Sequence, residues 1–531
     1  MIQVSLKIAK HVVSMFSCIS DSNCIIYLLV FLVCEALFVI GDWEKLLPNI
    51  QEPLQKARCF ADKLNTYHTL VRYLKATGDL RGAIENCKHV VSELGDDFPD
   101  QIDEALFREE TRRVEQLLQD KSEAELISLP KMTDERKIAS MQFLNHALSS
   151  AFAAEPMLAP VLTFRMVSLS VECGVCEISA TAFAGYGSWL VSAYKSDFEG
   201  GYRMGHVAIE LKNRLRYEEG IPRIHALVYG FINIWRTPFQ ASLPKHLEAY
   251  DAGNFSGDVE FTLSNLYMHG VNSLYGCGDN LRDVDSTTRV YIQRCKQSGQ
   301  SFLGKFICVI HEVALKLMGS SEKSYASFYD TTEERMFIDG REQSKISLCR
   351  FILFKRKYVA FFLGQMHAAA DFFELGLSFP IGGNGRLVNI IVGVFIDGLI
   401  AFYYARKRRS DENRWTEIGN GVLSLLEVWA KEGSDWNFSN KLFLLQAECF
   451  FLRGDERAAL QKYNASIKSA QDHRFIHEEG LAHERLASFH DHYGRRSEAL
   501  TCFNAAKRCY EHWGAQAVVQ RVERTIAKLQ R

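Results

Sequence analysis

Apolar residues in this chain recur at three- and four-residue spacing, the period of a helix with one buried face. Tyr67, Leu70, Val71 and Leu74 form one such face, and Ala83, Cys87 and Val90 form the next. Nearer the C-terminus the sets are Phe443, Ala447 and Phe450, then Ala459, Tyr463 and Ser466. Leu486 and Ala487, then Ala499, Phe503 and Ala506, follow. Sustained alternation is absent, so strands are not expected.

The breaks between these faces follow a rule. A Gly-Asp pair or a variant ends one helix, and a small residue stands five positions after the glycine. Gly78-Asp79 leads to Ala83, Gly454-Asp455 to Ala459, and Gly494-Arg495 to Ala499. Ser196-Asp197 leads to Gly201, and Gly364-Gln365 to Ala369. Glycine takes the left-handed conformation that ends a helix. Aspartate caps the next helix, and the small residue lets the two helices approach closely. This grammar resembles tetratricopeptide-like helical hairpins. Gly41 and Gly78 stand 37 apart, and Gly454 and Gly494 stand 40 apart, longer than the usual ~34. The fold class expected is all-α: a tetratricopeptide-like α-solenoid, a superhelix of stacked helical hairpins.

The pattern divides into an N-terminal extension (1–24), N-terminal hairpins (25–120), degenerate repeats (121–410) and C-terminal repeats with a terminal capping helix (411–531). Residues 137–172 read as two apolar helices parted near Glu155-Pro156, with Thr133 as N-cap. Loops are expected at 95–101, 251–258 and 380–386. Pro48 falls inside a helix of the first hairpin, which predicts a poorly formed first repeat. The amphipathic stretch 515–530 suits a cap.

Composition narrows the function. The 531 residues carry 62 Lys+Arg against 64 Asp+Glu, a formal net charge of -2. That balance argues against a general nucleic-acid binder. Ten prolines favour long helices, and 14 cysteines without framework spacing read as reduced thiols. Residues 24–40 (CIIYLLVFLVCEALFVI) form an apolar run of 17 residues broken by Glu35. A spanning helix wants about 20. A buried solenoid helix is the favoured assignment; a single membrane anchor at 25–40 and a signal peptide are the rivals.

Several longer segments then carry a resemblance. They include SEAELISLPKMTDERKIASMQFLNHALSSAF (122–152), FRMVSLSVECG (164–174) and AFAGYGSWLVSAYKSDFEGGYRMGHVAIEL (182–211). WRTPFQASLPKHLEAYDAGNFSGDVEF (235–261), WNFSNKLFLLQAE (436–448) and 476–523, which contains CYEHWGA, complete the set. From about residue 25 onward the chain resembles the helical-repeat region of large multidomain signalling ATPases. Those proteins join a Ser/Thr kinase-like domain, a P-loop ATPase, this repeat region, a GAF domain and often a histidine kinase. The flanking catalytic domains are not in this sequence, which reads as a piece that begins inside the helical region and ends just after the last repeat.

Candidate chemistry is sparse. G-x-x-x-x-G-K-[ST] is absent, as are the kinase signatures H-R-D and D-F-G. Gly185-Tyr186-Gly187 reads as close helix packing, and Gly382-Gly383-Asn384-Gly385 as a loop before a helix. Cys173-Gly174-Val175-Cys176 is a lone C-x-x-C without partners at zinc spacing. His473, His477, His483, His490 and His492 cluster without a ligand pattern and read as surface or groove histidines, with His473 and His477 able to share a helix face. Arg406-Lys407-Arg408-Arg409 reads as a solvated helix end. No catalytic, cofactor-binding or metal-binding residue is assigned, and no cofactor. The expectation is a non-catalytic interaction module that binds a protein partner through the solenoid groove, in the cytoplasm. Kinase or ATPase domains of a signalling system are the candidate partners. A regulatory segment of an ATP-binding signalling protein and a membrane-anchored adaptor are the alternatives.

Overall fold

The computed structural model describes residues 33–34, 36–37, 43–56, 60–99, 102–192, 195–320, 346–378, 387–407 and 411–531. Among them are 23 α-helices and no named strand. One isolated bridge joins Lys131 to Val175. The protein is all-α and its helices stack in solenoid-like hairpins. The apolar run 24–40 and the glycine cluster 382–385 lie almost wholly or wholly outside the described residues. The chain divides into two compact units, residues 1–187, 203–224 and 255–257, and residues 188–202, 225–254 and 258–531.

The hairpin turns follow the sequence rule closely. Gly78, Gly364, Gly454 and Gly494 have φ of +87°, +72°, +75° and +73°. Asp79, Asp197 and Asp455 each cap the following helix by accepting from a backbone N–H three residues on. Ala83, Ala369, Ala459 and Ala499 are fully buried where helices cross. Ser196 adopts the left-handed conformation without being glycine, at φ 52°. Gly299, five residues before buried Gly304, obeys the same rule and was legible. Arg474, at φ 63°, gave no signal.

In the first unit α1 (Trp43–Lys56) runs straight through Pro48 and Pro53, so proline does not end that helix. Its Leu46 and Ile50 pack with Cys34 against Leu70 and Tyr73, burial that holds the helix despite the missing donors. α2 (Phe60–Thr77) and α3 (Leu80–Glu93) form the first hairpin, and α3 packs on α6 (Glu135–Ala154). α4 (Glu104–Leu118) and α6 both pack on α7 (Leu158–Cys173). The N-cap of α6 is Asp134 rather than Thr133; its carboxylate accepts from the backbone of Arg136 and Lys137. The segment before it is held by backbone pairing. α5 (Glu123–Ser128) opens with a Ser122–Glu125 capping box, and Pro130 and Met132 exchange bonds with Val175 at 2.8 and 2.9 Å. Gly174 has φ +95°, and a Cβ there would meet the Pro130 carbonyl at 2.6 Å. Next along the chain come α8 (Glu177–Leu190), α9 (Phe198–Leu215), α10 (Ile221–Leu227) and α11 (Leu243–Ser256), whose residues are divided between the two units. Residues 251–256, expected as loop, are helical, and only Gly257-Asp258 form the turn before α12 (Val259–Val271).

The second unit continues with α13 (Leu281–Gln297), α14 (Ser301–Met318), α15 (Ile346–Phe362), α16 (Met366–Leu377), α17 (Val388–Lys407) and α18 (Glu412–Val428). It ends with α19 (Asp435–Leu452), α20 (Glu456–Asp472), α21 (Ile476–His492), α22 (Arg496–Trp513) and α23 (Gln516–Leu529). The helices α14, α15, α17, α19 and α21 pack each on the next, α23 packs on α14, and Arg521 of α23 meets Glu484 of α21. Within this unit the circuit of contacts therefore closes. Gly393 and Gly398 of α17 lie 3.3 Å from Phe354 and 3.0 Å from Leu445 by their would-be Cβ positions, so α17 seats closely on both sides. α17 is long and apolar enough to cross a membrane, and 78% of its apolar window is buried inside the protein.

Each neighbouring pair in the circuit, up to α23, is joined by an ion pair. Glu312 meets Lys355 at 2.7 Å, and Lys357 meets Asp397. Arg406 meets Glu448. Lys441 meets Glu478 and Arg521 meets Glu484, each at 2.7 Å.

Candidate functional site

In a stack of hairpins the place to look for binding is the face of the first helices, here α19 and α21. Their sequence reading was apolar: Phe443, Ala447 and Phe450 on α19. Of these only Ala447 is buried, Phe443 and Phe450 being half-buried, and the observed buried face carries Asn437, Asn440, Lys441 and Glu448 beside Phe438, Leu444 and Leu445. Helical periodicity of apolar residues gives no signal for buried polar groups, which is why these were missed. WNFSN (436–440) carries only the resemblance and no periodic signal.

That face is occupied by the same chain. Residues 233–242 cross it as two 3-10 turns, Asn233–Trp235 and Phe239–Ser242, parted by Thr237-Pro238. Pro238 holds φ -52° and ψ 138°, extended geometry that stops a continuous helix. Asn437 grips this strap by its main chain. Its Nδ2 donates to the carbonyls of Ile234 and Thr237, each at 2.8 Å, and its Oδ1 accepts from Phe239 N–H at 3.1 Å. Ser434 caps α19 and so sets Asn437 at the first turn. Gln240 adds a bond to the His473 carbonyl at 3.1 Å. Trp235 stacks on Phe198 at 4.5 Å and touches Trp429 and Phe438. Trp235 and Phe239 are both fully buried.

Below the strap the charges are buried too. The Lys441 ammonium donates to Asn437 O at 2.9 Å and to Glu478 Oε2 at 2.7 Å, and stands 4.7 Å above the Phe475 ring. Burial lowers its pKa, against the pull of the Glu478 carboxylate. Asn440 Nδ2 donates to the same carboxylate. Burial also lowers the pKa of His477, whose Nε2 meets the Tyr275 carbonyl at 3.3 Å. A neutral ring making that bond carries its proton on Nε2.

The closing seam explains the CYEHWGA signature. Trp513 lies 5.2 Å from Phe362 and 5.4 Å from His477, centroid to centroid. Asn280 Nδ2 donates to the His512 carbonyl at 2.7 Å. Tyr510 donates to Glu484, whose carboxylate also accepts from Nη1 and Nη2 of Arg521, each at 2.7 Å. Burial opposes charge on Glu484, yet Arg521 outweighs it and its pKa falls. WRTPFQ, WNFSN and CYEHWGA, apart in sequence, all serve this one interior.

The other candidates resolve individually. Gly185 of α8 faces Thr163 of α7, 3.1 Å from a would-be Cβ, which is close packing between the two helices. Cys173 is exposed and Cys176 half-buried, and neither is in a disulfide. His473 and His477 do not share a helix, because the turn at Arg474 separates α20 from α21. His473 stacks on Trp436 at 4.3 Å. His477 and His490 are buried rather than surface residues. Arg406 is not a solvated helix end: it pairs with buried Glu448 and lies 4.4 Å over Phe451. Arg408 and Arg409 lie outside the described residues. Among the described residues no group of three or more His, Cys, Asp or Glu is placed to hold a metal.

No family model matches this chain. A curated relative, hybrid signal transduction histidine kinase G of Dictyostelium discoideum, is 28% identical over 116 residues, 21% of this chain. The match spans 3% of that protein's length. Among solved structures, a circular tandem repeat protein with novel repeat topology and enhanced subunit contact surfaces aligns over 96% of this chain and 95% of its own. Its identity is 12% and its TM-score 0.15, too low to argue from. The chain is an all-α protein of stacked helical hairpins with a weak, partial likeness to one signalling histidine kinase.

Proposed function

We propose that this chain is a non-catalytic interaction module of a signalling system that holds a protein partner on its helical hairpins. The observation that carries this reading is the Asn437 face. One amide, set by a helix N-terminus, recognises three main-chain groups of a strap of chain laid across the hairpin face, and main-chain recognition of this kind is what peptide capture by a repeat array uses. In the second unit that position already holds residues 233–242, so the partner engages hairpin surface that the strap leaves uncovered. Kinase or ATPase domains of the same system are the natural partners, and the cytoplasm the natural compartment. The test is calorimetric titration of the purified chain with such domains, alongside an ATP-turnover assay of the chain alone. Saturable binding without turnover is the expected result. Turnover by the chain alone, or no binding to any of them, defeats the reading.

A second reading has a specific observation behind it. The 116-residue likeness to a hybrid signal transduction histidine kinase favours a regulatory segment that acts with catalytic domains. A transcript reading in frame into a P-loop would favour it further.

A further inference from the structure

The first unit has its own face of first helices, on α2 and α6. On α2, His68, Arg72 and Lys75 follow at four- and three-residue spacing and share one side of the helix. On α6, Asn145 and His146 stand one turn before Ser149. The two sides meet. The His68 ring stacks on Phe143 at 4.2 Å and lies 5.2 Å from the His146 ring. The Lys75 ammonium donates to Ser149 Oγ at 2.6 Å, and the Ser149 hydroxyl in turn donates to the His146 carbonyl at 3.0 Å. Arg223, in the same unit, reaches this side of α6 and donates to Asn145 Oδ1 at 2.5 Å. The Cβ atoms of residues one turn apart lie about 5–6 Å from each other. Asn145 and Ser149 therefore anchor a guanidinium and an ammonium a single helical turn apart.

The cations converge on one place. Burial lowers the pKa of His146, and the charges that add most to this are all positive: His68, Lys75, Arg223 and Arg72. Arg72, Lys75, Asn145, His146 and Ser149 are half-buried, so solvent reaches this face. Like charges one turn apart on a helix repel, and an anion seated among them turns that repulsion into attraction. We propose that this face docks a phosphorylated side chain of a protein partner, with the phosphoryl group seated among Arg72, Lys75 and Arg223. A phosphomonoester brings a charge of about −1.5 to −2 and three acceptor oxygens. A carboxylate brings one charge and two oxygens, too few for an ammonium and two guanidinium groups. Charge-assisted bonds of about 2.7–2.9 Å from either side of one phosphoryl group cover a gap of one turn. The inference rests on the reading that the chain holds a protein partner, and it adds what that partner carries.

The test is calorimetric titration of the full chain with capped alanine peptides that carry a central phosphoserine, phosphotyrosine, serine or glutamate, and separately with inorganic phosphate. The expected result is that a phosphorylated peptide binds at least about tenfold more tightly than its serine and glutamate counterparts. Lys75→Gln and Arg72→Gln, each checked for folding by circular dichroism, should weaken that binding about tenfold. If one variant does not fold, the other and the contrast between peptides on the wild type decide. Equal binding of the phosphorylated and glutamate peptides, binding of neither phosphopeptide, or variants that bind as the wild type does overturns the proposal. Inorganic phosphate bound where neither phosphopeptide binds also overturns it, since the site then takes a free anion. Kinase or ATPase domains that bind while the phosphopeptides do not defeat this inference alone. Phosphopeptides that bind while those domains do not defeat only the choice of those partners.

Discussion

Replacing Lys441 by methionine isolates what the buried charges contribute. Methionine keeps the length of the side chain and removes the ammonium. In the wild type that ammonium is wholly buried, and the Glu478 side chain is 4% exposed. Without it, Glu478 keeps the Asn440 amide as its remaining direct donor in that cluster, and the Asn437 carbonyl loses its bond to the ammonium. Stranding one charge of a buried pair typically costs about 3–5 kcal/mol. Removing both in Lys441→Met/Glu478→Leu returns the site to apolar packing, which is often neutral or stabilising by about 1–4 kcal/mol relative to the pair. The expected order of stability is therefore wild type near the double variant, and Lys441→Met well below both. Urea unfolding followed by circular dichroism, with a double-mutant cycle, gives the numbers. If Lys441→Met loses less than about 1 kcal/mol, the charges are solvated in solution, and the account of a sealed interior fails.

Three further outcomes are expected. Asn437→Ala strands Ile234 O, Thr237 O and Phe239 N–H; it should cost on the order of 3 kcal/mol and speed hydrogen exchange at the Phe239 amide, whereas unchanged exchange there would show that the strap does not depend on the clamp. Gly278→Ala combines φ +67° with a Cβ 2.0 Å from His477 Nδ1, while Gly78→Ala has φ +87° and open space. The second should cost about 1–2 kcal/mol of backbone strain and the first clearly more, read as thermal midpoints; equal effects would mean that His477 moves aside. Burial lowers the pKa of His246 and of His269 to about 4. Each folded value lies below the unfolded ~6.5, so their stabilisation is full above pH ~6.5 and fades as pH falls toward 4, on the order of 3 kcal/mol each. Asparagine at both positions should flatten that acid limb of a stability–pH curve, and an unchanged limb would assign it to other groups.

The pattern of apolar positions was enough to establish an all-α protein of hairpins. Gly78, Gly454 and Gly494 told where helices end, because a left-handed residue is a local requirement that a single side chain reports. Ala83, Ala459 and Ala499 told where helices cross, because only a small residue fits there. Pro48 misled: its penalty is local too, but Leu46 and Ile50 bury on the same helix and outweigh it. The tertiary structure alone decided that α23 returns to α14 and that residues 233–242 fill the face of α19 and α21. Asn437 meets Ile234, Thr237 and Phe239, and His477 meets Tyr275 and Trp513, across as many as 203 residues of chain. Which polar side chains end up buried together depends on where remote helices come to rest, and no spacing along the sequence carries that distance.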